Sequence, residues 1–182
     1  MIEAELKARV QDRAGLLAQL EALAKGRVEV YRDTYYDTAD GALAGRDAEL
    51  RVRTVEAADG TARTVLTYKG AAVDADSGSK PEHETTVADA DAVHAVVQGL
   101  GYRPLLAFTK ACINFDLVIQ GRRMLATVVQ VPEINGATFI EVETMTGRGS
   151  LDDALADVKE FISDLGIDSA AQFAAGVGVG PR

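Results

Sequence analysis

The 182-residue chain has one cysteine, Cys112, so no disulfide can close within it. That usage suits a reducing compartment, and the expected location is the cytoplasm. No basic stretch followed by an apolar run and cleavage site opens the sequence, so no secretory signal is read. No uninterrupted apolar run approaches the roughly 20 residues a membrane helix needs, which sets helical membrane insertion aside. Cations are outnumbered, 19 Lys and Arg against 28 Asp and Glu, for a net charge of −9. An acidic surface argues against nucleic acid or an anionic membrane as partner, while leaving room for a local basic cluster. Repeats of fixed length and domain-separating linkers are also absent. The chain therefore reads as one domain over 1–170, followed by a flexible glycine-rich tail, 171–182. The "GVGVG" of that tail has no strand before it and no helix after it, so it is not a nucleotide-binding fingerprint.

What is present is ordinary in amount, 47% hydrophobic and 26% charged residues, enough to build a core. Three segments have helical spacing. "DRAGLLAQLEALAKG" carries Leu16, Leu17, Leu20 and Leu23, with Gly26 as an expected C-terminal cap. "DADAVHAVVQGLG" follows Asp89 or Asp91 as N-cap, carries Val93, Val96, Val97 and Leu100, and stops at Gly99 and Gly101. "SLDDALADVKEFISDLG" has Ser150 as its cap and acids in its first turn. Strand-like runs lie between them: "VEVYRDTYYD", "AELRVRTVE", "ARTVLTYKG", "PEHETTV", "AFTKACINFDLVI", "GRRMLATVVQV" and "ATFIEVETM". Asp59-Gly60, Asn135-Gly136 and "DADSGS" mark turns. Strands succeed one another without a helix after each, which favours an antiparallel sheet or barrel.

The opening "MIEAELKARV" sets Glu3, Glu5 and Lys7 on one face of a strand and Ile2, Ala4 and Leu6 on the other. Alternation alone describes any half-solvated strand. It recurs, however, with segregation by strand. Arg51 and Arg53 share a face, Lys69 aligns with Thr67 and Val65, and Lys80, Glu82, Glu84 and Thr86 fall in one register, apart from any distortion at Pro81. Lys110, Cys112, Asn114 and Asp116 align, and so do Glu141 and Glu143. Acids dominate the first and last strands and bases the middle ones. If these faces line a curled sheet, converging cations require a multiply charged anion, and arginine forks match phosphate oxygens. Carboxylates in the same interior suit Mg²⁺ or Mn²⁺ bridging to phosphate. The fitting ligand is a polyphosphate with a divalent cation.

The blocks "EAELK", "DTYYDTADGALAGRDAELRVRT", "LTYKG", "KPEHETT", "LGYRPLLAFTK" and "FIEVET", in that order, resemble the CYTH superfamily over roughly residues 1 to 165. "LGYRP" and "EVETMT" are similar to its class IV adenylyl cyclase branch. The resemblance implies an α+β fold: a closed antiparallel β-barrel, or triphosphate tunnel, of about eight strands with a polar interior and three or more flanking helices. By the same resemblance Glu3, Glu5, Glu141 and Glu143 form the metal-binding set for Mg²⁺ or Mn²⁺. Lys7, Arg51, Arg53, Lys69, Lys80 and Lys110 meet the triphosphate, with Lys7, Arg53 and Lys110 at the reacting group. Glu82 and Glu84 occupy an acidic block whose carboxylates meet metal, water or a basic neighbour, and Glu84 is placed among the substrate contacts.

Three positions depart from the family pattern. Cys112 stands where a second basic residue is usual, Val129 where an aspartate is usual, and Lys80 where arginine is common. Three functions therefore stay open: cyclisation of ATP to cyclic AMP and pyrophosphate, hydrolysis of inorganic, thiamine or nucleoside triphosphate, and polyphosphate or phosphometabolite binding without catalysis. The partner is a small triphosphate-bearing molecule, with a homodimer compatible. His83 alternates away from Glu82 and Glu84, and His94 is expected on a helix surface. Cys112 has no histidine and acid partners for nucleophilic chemistry and reads as a small barrel-lining side chain. Tyr35 and Tyr36 face opposite ways, either one available to stack on a base.

Overall fold

The computed structural model describes residues 1–75, 77–132 and 137–167. The expected tail, 171–182, and the Asn135-Gly136 turn lie outside the described residues, as does Asp76 of "DADSGS". Eight strands appear among the described residues: β1 (Ile2–Val10), β2 (Arg27–Asp37), β3 (Glu49–Ala57), β4 (Ala62–Lys69), β5 (Lys80–Val87), β6 (Arg103–Ile119), β7 (Arg122–Gln130) and β8 (Thr138–Thr146). They close into an antiparallel barrel in the order β1-β5-β4-β3-β2-β6-β7-β8. Two four-strand meanders, β2 to β5 and β6 to β8 with β1, meet at the β2–β6 and β1–β5 seams. The β2–β6 seam is long, whereas β1 and β5 pair only at Ile2↔Pro81 and Glu3↔Lys80.

Period-two alternation sends one side of each strand outward, where the helices cover it. α1 (Arg13–Leu23) and α3 (Leu151–Asp164) supply Leu16, Leu20, Val158, Phe161 and Ile162. These pack on Ala8, Phe115, Leu117, Ala126, Val128, Ile140 and Val142 from the outer faces of β1 and β6 to β8. α2 (Ala90–Gly99) sets Val93 and Val97 against Tyr36 and Val52. With its outer surface already committed to this apolar layer, the sheet turns its charged positions inward.

Local signals place most boundaries. Asp12 accepts from Gly15 N at 2.9 Å and opens α1, and Asp89 rather than Asp91 accepts from Ala92 N at 2.9 Å to open α2. Ser150 occupies the N-cap position of α3 without a capping hydrogen bond from its side chain, leaving Asp152 and Asp153 to complement the helix terminus. The expected cap at Gly26 is corrected: α1 ends at Leu23, and a Cβ on Gly26 would lie 2.9 Å from Ile113 and 3.0 Å from Phe115. Close backbone approach to β6 is what requires glycine there. Gln120 (φ 50°) and Gly121 (φ 84°) make the tight β6–β7 turn, with positive φ at both central positions.

His94 is also corrected. It is half-buried, and Nδ1 hydrogen-bonds the Tyr36 hydroxyl at 2.5 Å, tying α2 to β2. His83 is exposed and stacks on Tyr68, away from Glu82 and Glu84 as expected.

Candidate functional site

The barrel encloses a cavity of about 630 Å³ whose wall includes Glu3, Glu5 and Lys7 of β1, Arg51 and Arg53 of β3, Lys69 of β4, Lys80, Glu82 and Glu84 of β5, Lys110 of β6, and Glu141 and Glu143 of β8. The structure therefore brings every charged residue of the expected metal and triphosphate site to one cavity, while Asp116, aligned with Lys110 in the sequence, is exposed and pairs with Arg27 instead. Tyr35 joins the cavity wall, and Tyr36 points outward into the α2 packing.

Strand register dictates which charges meet. Glu5 lies opposite Glu143 and Lys7 opposite Glu141. Directly opposed like charges repel, so lysines intervene. Lys7 Nζ lies 3.2 Å from Glu5 Oε1 and 3.5 Å from Glu141 Oε1, and Lys110 Nζ donates to Glu141 Oε1 at 3.2 Å. Lys69 pairs with Glu3 and lies 3.9 Å from Glu82. Burial works to raise the Glu141 carboxyl, but Lys110, Lys7 and Arg53 outweigh it and hold the group well below the usual carboxylate range. Burial likewise opposes ionisation of Glu3, and Lys69 overrides it in the same direction. Glu143 goes the other way. Burial and then the nearby Glu3 and Glu5 raise it well above its ordinary value. Burial and Glu3 also push Glu82 up to about 7, against the pull of Lys69.

The two arginines differ in how they are held. Arg53 is fixed by a bidentate pair with Asp33, 2.6 Å from Nε and 2.7 Å from an Nη, and lies 4.4 Å over the Tyr31 ring. Arg51 donates from an Nη to Thr67 Oγ1 at 3.2 Å, yet its buried Nε has no hydrogen-bond partner among the described residues. A buried orphan donor costs free energy unless a ligand accepts from it. Lys80 is occupied differently from the sequence expectation. Its ammonium donates to Asp47 O, Asp47 Oδ1 and Glu49 Oε1 at 2.8 to 2.9 Å, which uses its three donors on the protein itself.

One sector of the interior is apolar. Cys112 and Val129, the two departures from the family pattern, are direct cross-strand partners, 1% and 2% exposed, packed with Tyr31, Val55, Phe108 and Val131. Burial pushes the Cys112 thiol up to about 12, consistent with an inert packing role. Beside this sector Asn114 Nδ2 donates to Glu29 Oε2 at 2.6 Å and to the Tyr31 hydroxyl at 2.7 Å, while Thr127 donates to Asn114 Oδ1 at 2.8 Å.

The carboxylate chemistry fits a hard divalent cation. Oxygen donors face the cavity from adjacent strands β1 and β8, and the crowding that raises Glu143 is what an added cation relieves. As placed, no three acids among the described residues converge into a ready metal site. They are engaged by Lys7, Lys69 and Lys110 instead.

Sequence reasoning missed Asp33, Glu29 and Arg63. Asp33 alternates with Tyr31 and Tyr35, and Arg63 with Val65, Thr67 and Lys69, so the signal was available in the same period-two pattern. Their partners, Arg53 for Asp33 and Glu29 for Arg63, lie on other strands and only the barrel supplies them.

A protein from Pyrococcus horikoshii OT3, PH1819, has a similar structure at 23% identity and TM-score 0.77, covering 91% of each chain. A candidate adenylate cyclase from Vibrio parahaemolyticus is similar at 18% identity and TM-score 0.80, over 97% of this chain and 95% of that one. The Hippeastrum protein HpAC1, a candidate adenylyl cyclase with a dominant triphosphatase activity, is similar at 18% identity and TM-score 0.66, over 98% of this chain and 93% of that one. No curated protein gives a significant sequence match. The CYTH domain profile matches residues 1–176. With the closed barrel and the charged cavity it encloses, the chain belongs to the CYTH domain family.

Proposed function

We propose that the tunnel binds a triphosphate together with a divalent cation and turns it over, in the first reading as an adenylyl cyclase-like enzyme that converts ATP to cyclic AMP and pyrophosphate. The observation that carries this is the buried, unpartnered Nε of Arg51 in a wall that also presents Lys7, Arg53, Lys69 and Lys110. Five cations on one cavity match a ligand with several negative charges. Lys80 holds the 44–47 turn and contributes charge without a free donor.

The chain's residues have distinct tasks in this reading. Arg51 and Lys69 bind the phosphate chain, and Glu84, 3.2 Å from the Thr67 hydroxyl, supports the Arg51 contact. Arg53, Lys7 and Lys110 sit at the reacting phosphorus, where they neutralise charge developing on the leaving oxygens. Glu141, kept ionised, aims Lys7 and Lys110. Mg²⁺ or Mn²⁺ held by Glu3, Glu5, Glu141 and Glu143 supplies further neutralisation of phosphate oxygens when bound. In cyclisation the ribose 3′-hydroxyl attacks the α-phosphorus and pyrophosphate leaves. In the second reading water attacks the terminal phosphorus, and the reported triphosphatase activity of the similar HpAC1 favours keeping it. Either reaction takes a soluble small molecule as substrate and needs neither nucleic acid nor membrane, which agrees with a cytoplasmic enzyme.

The test is product analysis after incubation with ATP, inorganic triphosphate or thiamine triphosphate and either metal, for the native chain and for Glu3→Ala/Glu5→Ala. Cyclic AMP with pyrophosphate, lost in the double variant, is the expected result. Orthophosphate alone, lost likewise, gives the hydrolase. Tight tripolyphosphate binding with no turnover sinks both and leaves a binding module.

A further inference from the structure

The three tyrosines of β2 do not hold their hydroxyls alike. Tyr31 donates to Glu29 Oε2 at 3.3 Å and accepts from Asn114 Nδ2 at 2.7 Å, and Tyr36 is bonded to His94 on the outer side. Tyr35 lies on the cavity wall between β3 and β6 and is only 8% exposed. Yet among the described residues its hydroxyl donates no hydrogen bond, although buried tyrosine hydroxyls normally find a partner.

The ring itself is firmly seated. It stacks on Phe108, with centroids 5.8 Å apart and planes 10° from parallel, inside the apolar cluster that also contains Cys112 and Val129. Its polar end lies among cations: Arg51 is directly opposite on β3, and Lys7, Arg51 and Arg53 all interact electrostatically with the phenol. Lysine and arginine are donors only, so they can meet the phenol oxygen but not its hydrogen. Arg51 Nε, buried and without a partner among the described residues, is a second donor left over in the same wall. Two unspent donors on cross-strand partners call for an anionic acceptor that the protein does not supply.

We propose that the Tyr35 hydroxyl donates a hydrogen bond to a phosphoryl oxygen of the bound triphosphate, beside the Arg51 contact. The inference rests on the triphosphate reading and adds to it a neutral, directional donor in a wall of cations. The contact goes to the phosphates, so it serves ATP and inorganic tripolyphosphate alike, and it strengthens as negative charge grows on the phosphoryl oxygens. It also gives the Cys112 departure a use: where a further cation is usual, this chain has an apolar cluster that seats the tyrosine.

Tyr35→Phe keeps the ring and its stack and removes only the hydroxyl. Tyr36→Phe, which removes the outer hydroxyl bonded to His94, is the control. Calorimetry with Mg²⁺ and inorganic tripolyphosphate, and thermal unfolding without ligand, are run on the native chain and both variants. Tyr35→Phe is expected to lose about tenfold in affinity, with its ligand-free unfolding midpoint unchanged or raised because an unpartnered hydroxyl has gone. Tyr36→Phe is expected to lower the midpoint and keep the affinity. Native affinity in Tyr35→Phe overturns the contact and leaves the tunnel reading intact. Affinity lost together with a lower ligand-free midpoint makes the hydroxyl structural and overturns the contact as well. A native chain that binds no tripolyphosphate overturns the triphosphate reading and the contact with it.

Discussion

Asp33 shows how much a single side chain can decide in a charged interior. It is buried on β2 and holds both ends of the Arg53 fork. Burial resists its ionisation, and Arg53 more than compensates, so its carboxyl titrates below its ordinary value. A group depressed in this way contributes stability that is fully present above the unfolded value of about 4. That contribution is lost as pH falls through the lower folded value, because the unfolded chain takes up the proton first. Asp33→Asn is expected to cost about 3 kcal/mol in urea unfolding near neutral pH, since it leaves a largely buried guanidinium unpaired. It should also flatten the loss of stability below about pH 4. An unchanged acid limb in the variant would remove Asp33 as its source. The same substitution frees Arg53 to swing, and tripolyphosphate affinity is expected to fall about tenfold.

At the scale of strands, Cys112 and Val129 belong to one event. Read along the chain they are two separate departures, a lost cation and a lost anion. The β6–β7 register makes them partners across one rung, and losing both together avoids leaving an unpaired charge inside an apolar sector. A double-mutant cycle checks this. Cys112→Arg alone is expected to destabilise by about 3 kcal/mol or more. Adding Val129→Asp should recover over 1 kcal/mol of coupling, measured by chemical denaturation. Strict additivity of the two changes would mean that the rung does not act as a pair. The β1–β5 seam is the other informative element. Two Cα pairs and the Glu82 N to Met1 O bond at 3.2 Å join these strands, yet Glu3 on one side and Lys69 and Glu82 just beyond it meet there. The shortest ladder in the barrel is thus crossed by interior charges.

For the molecule as a whole, the sign of the net charge misleads. A chain at −9 lines its cavity with seven cations and seven carboxylates, while the excess acids are spread over the rest of the molecule. The cavity's carboxylates and lysines engage one another, and under the proposed function a metal-triphosphate complex would take over both sets at once. Thermal unfolding should therefore respond jointly. Mg²⁺ with tripolyphosphate at about a hundred times the dissociation constant is expected to add about 2.7 kcal/mol, raising the midpoint by roughly 5 to 10 °C for a domain of this size, more than either component alone. Shifts that merely sum would place the two ligands at independent sites.

The sequence by itself determined which residues face together, because period-two alternation is a local property of extended chain. Glu3, Glu5 and Lys7, or Arg51 and Arg53, share a face before any partner strand is known. It also gave the helix starts at Asp12 and Asp89, whose side chains cap amides three residues away. The resemblance to a family supplied barrel closure. Only the tertiary structure decided what each face meets. The Asp33–Arg53 fork, the Glu5–Glu143 opposition, the occupation of Lys80 by Asp47 and Glu49, and the apolar rung of Cys112 and Val129 all join positions 17 to 138 residues apart. Gly26 was misread for the same reason. As local signal it is a helix cap, but the atoms that require it, on Ile113 and Phe115, come from a strand nearly ninety residues away along the chain. Cross-strand register is set when the whole barrel closes, so no window of sequence contains it.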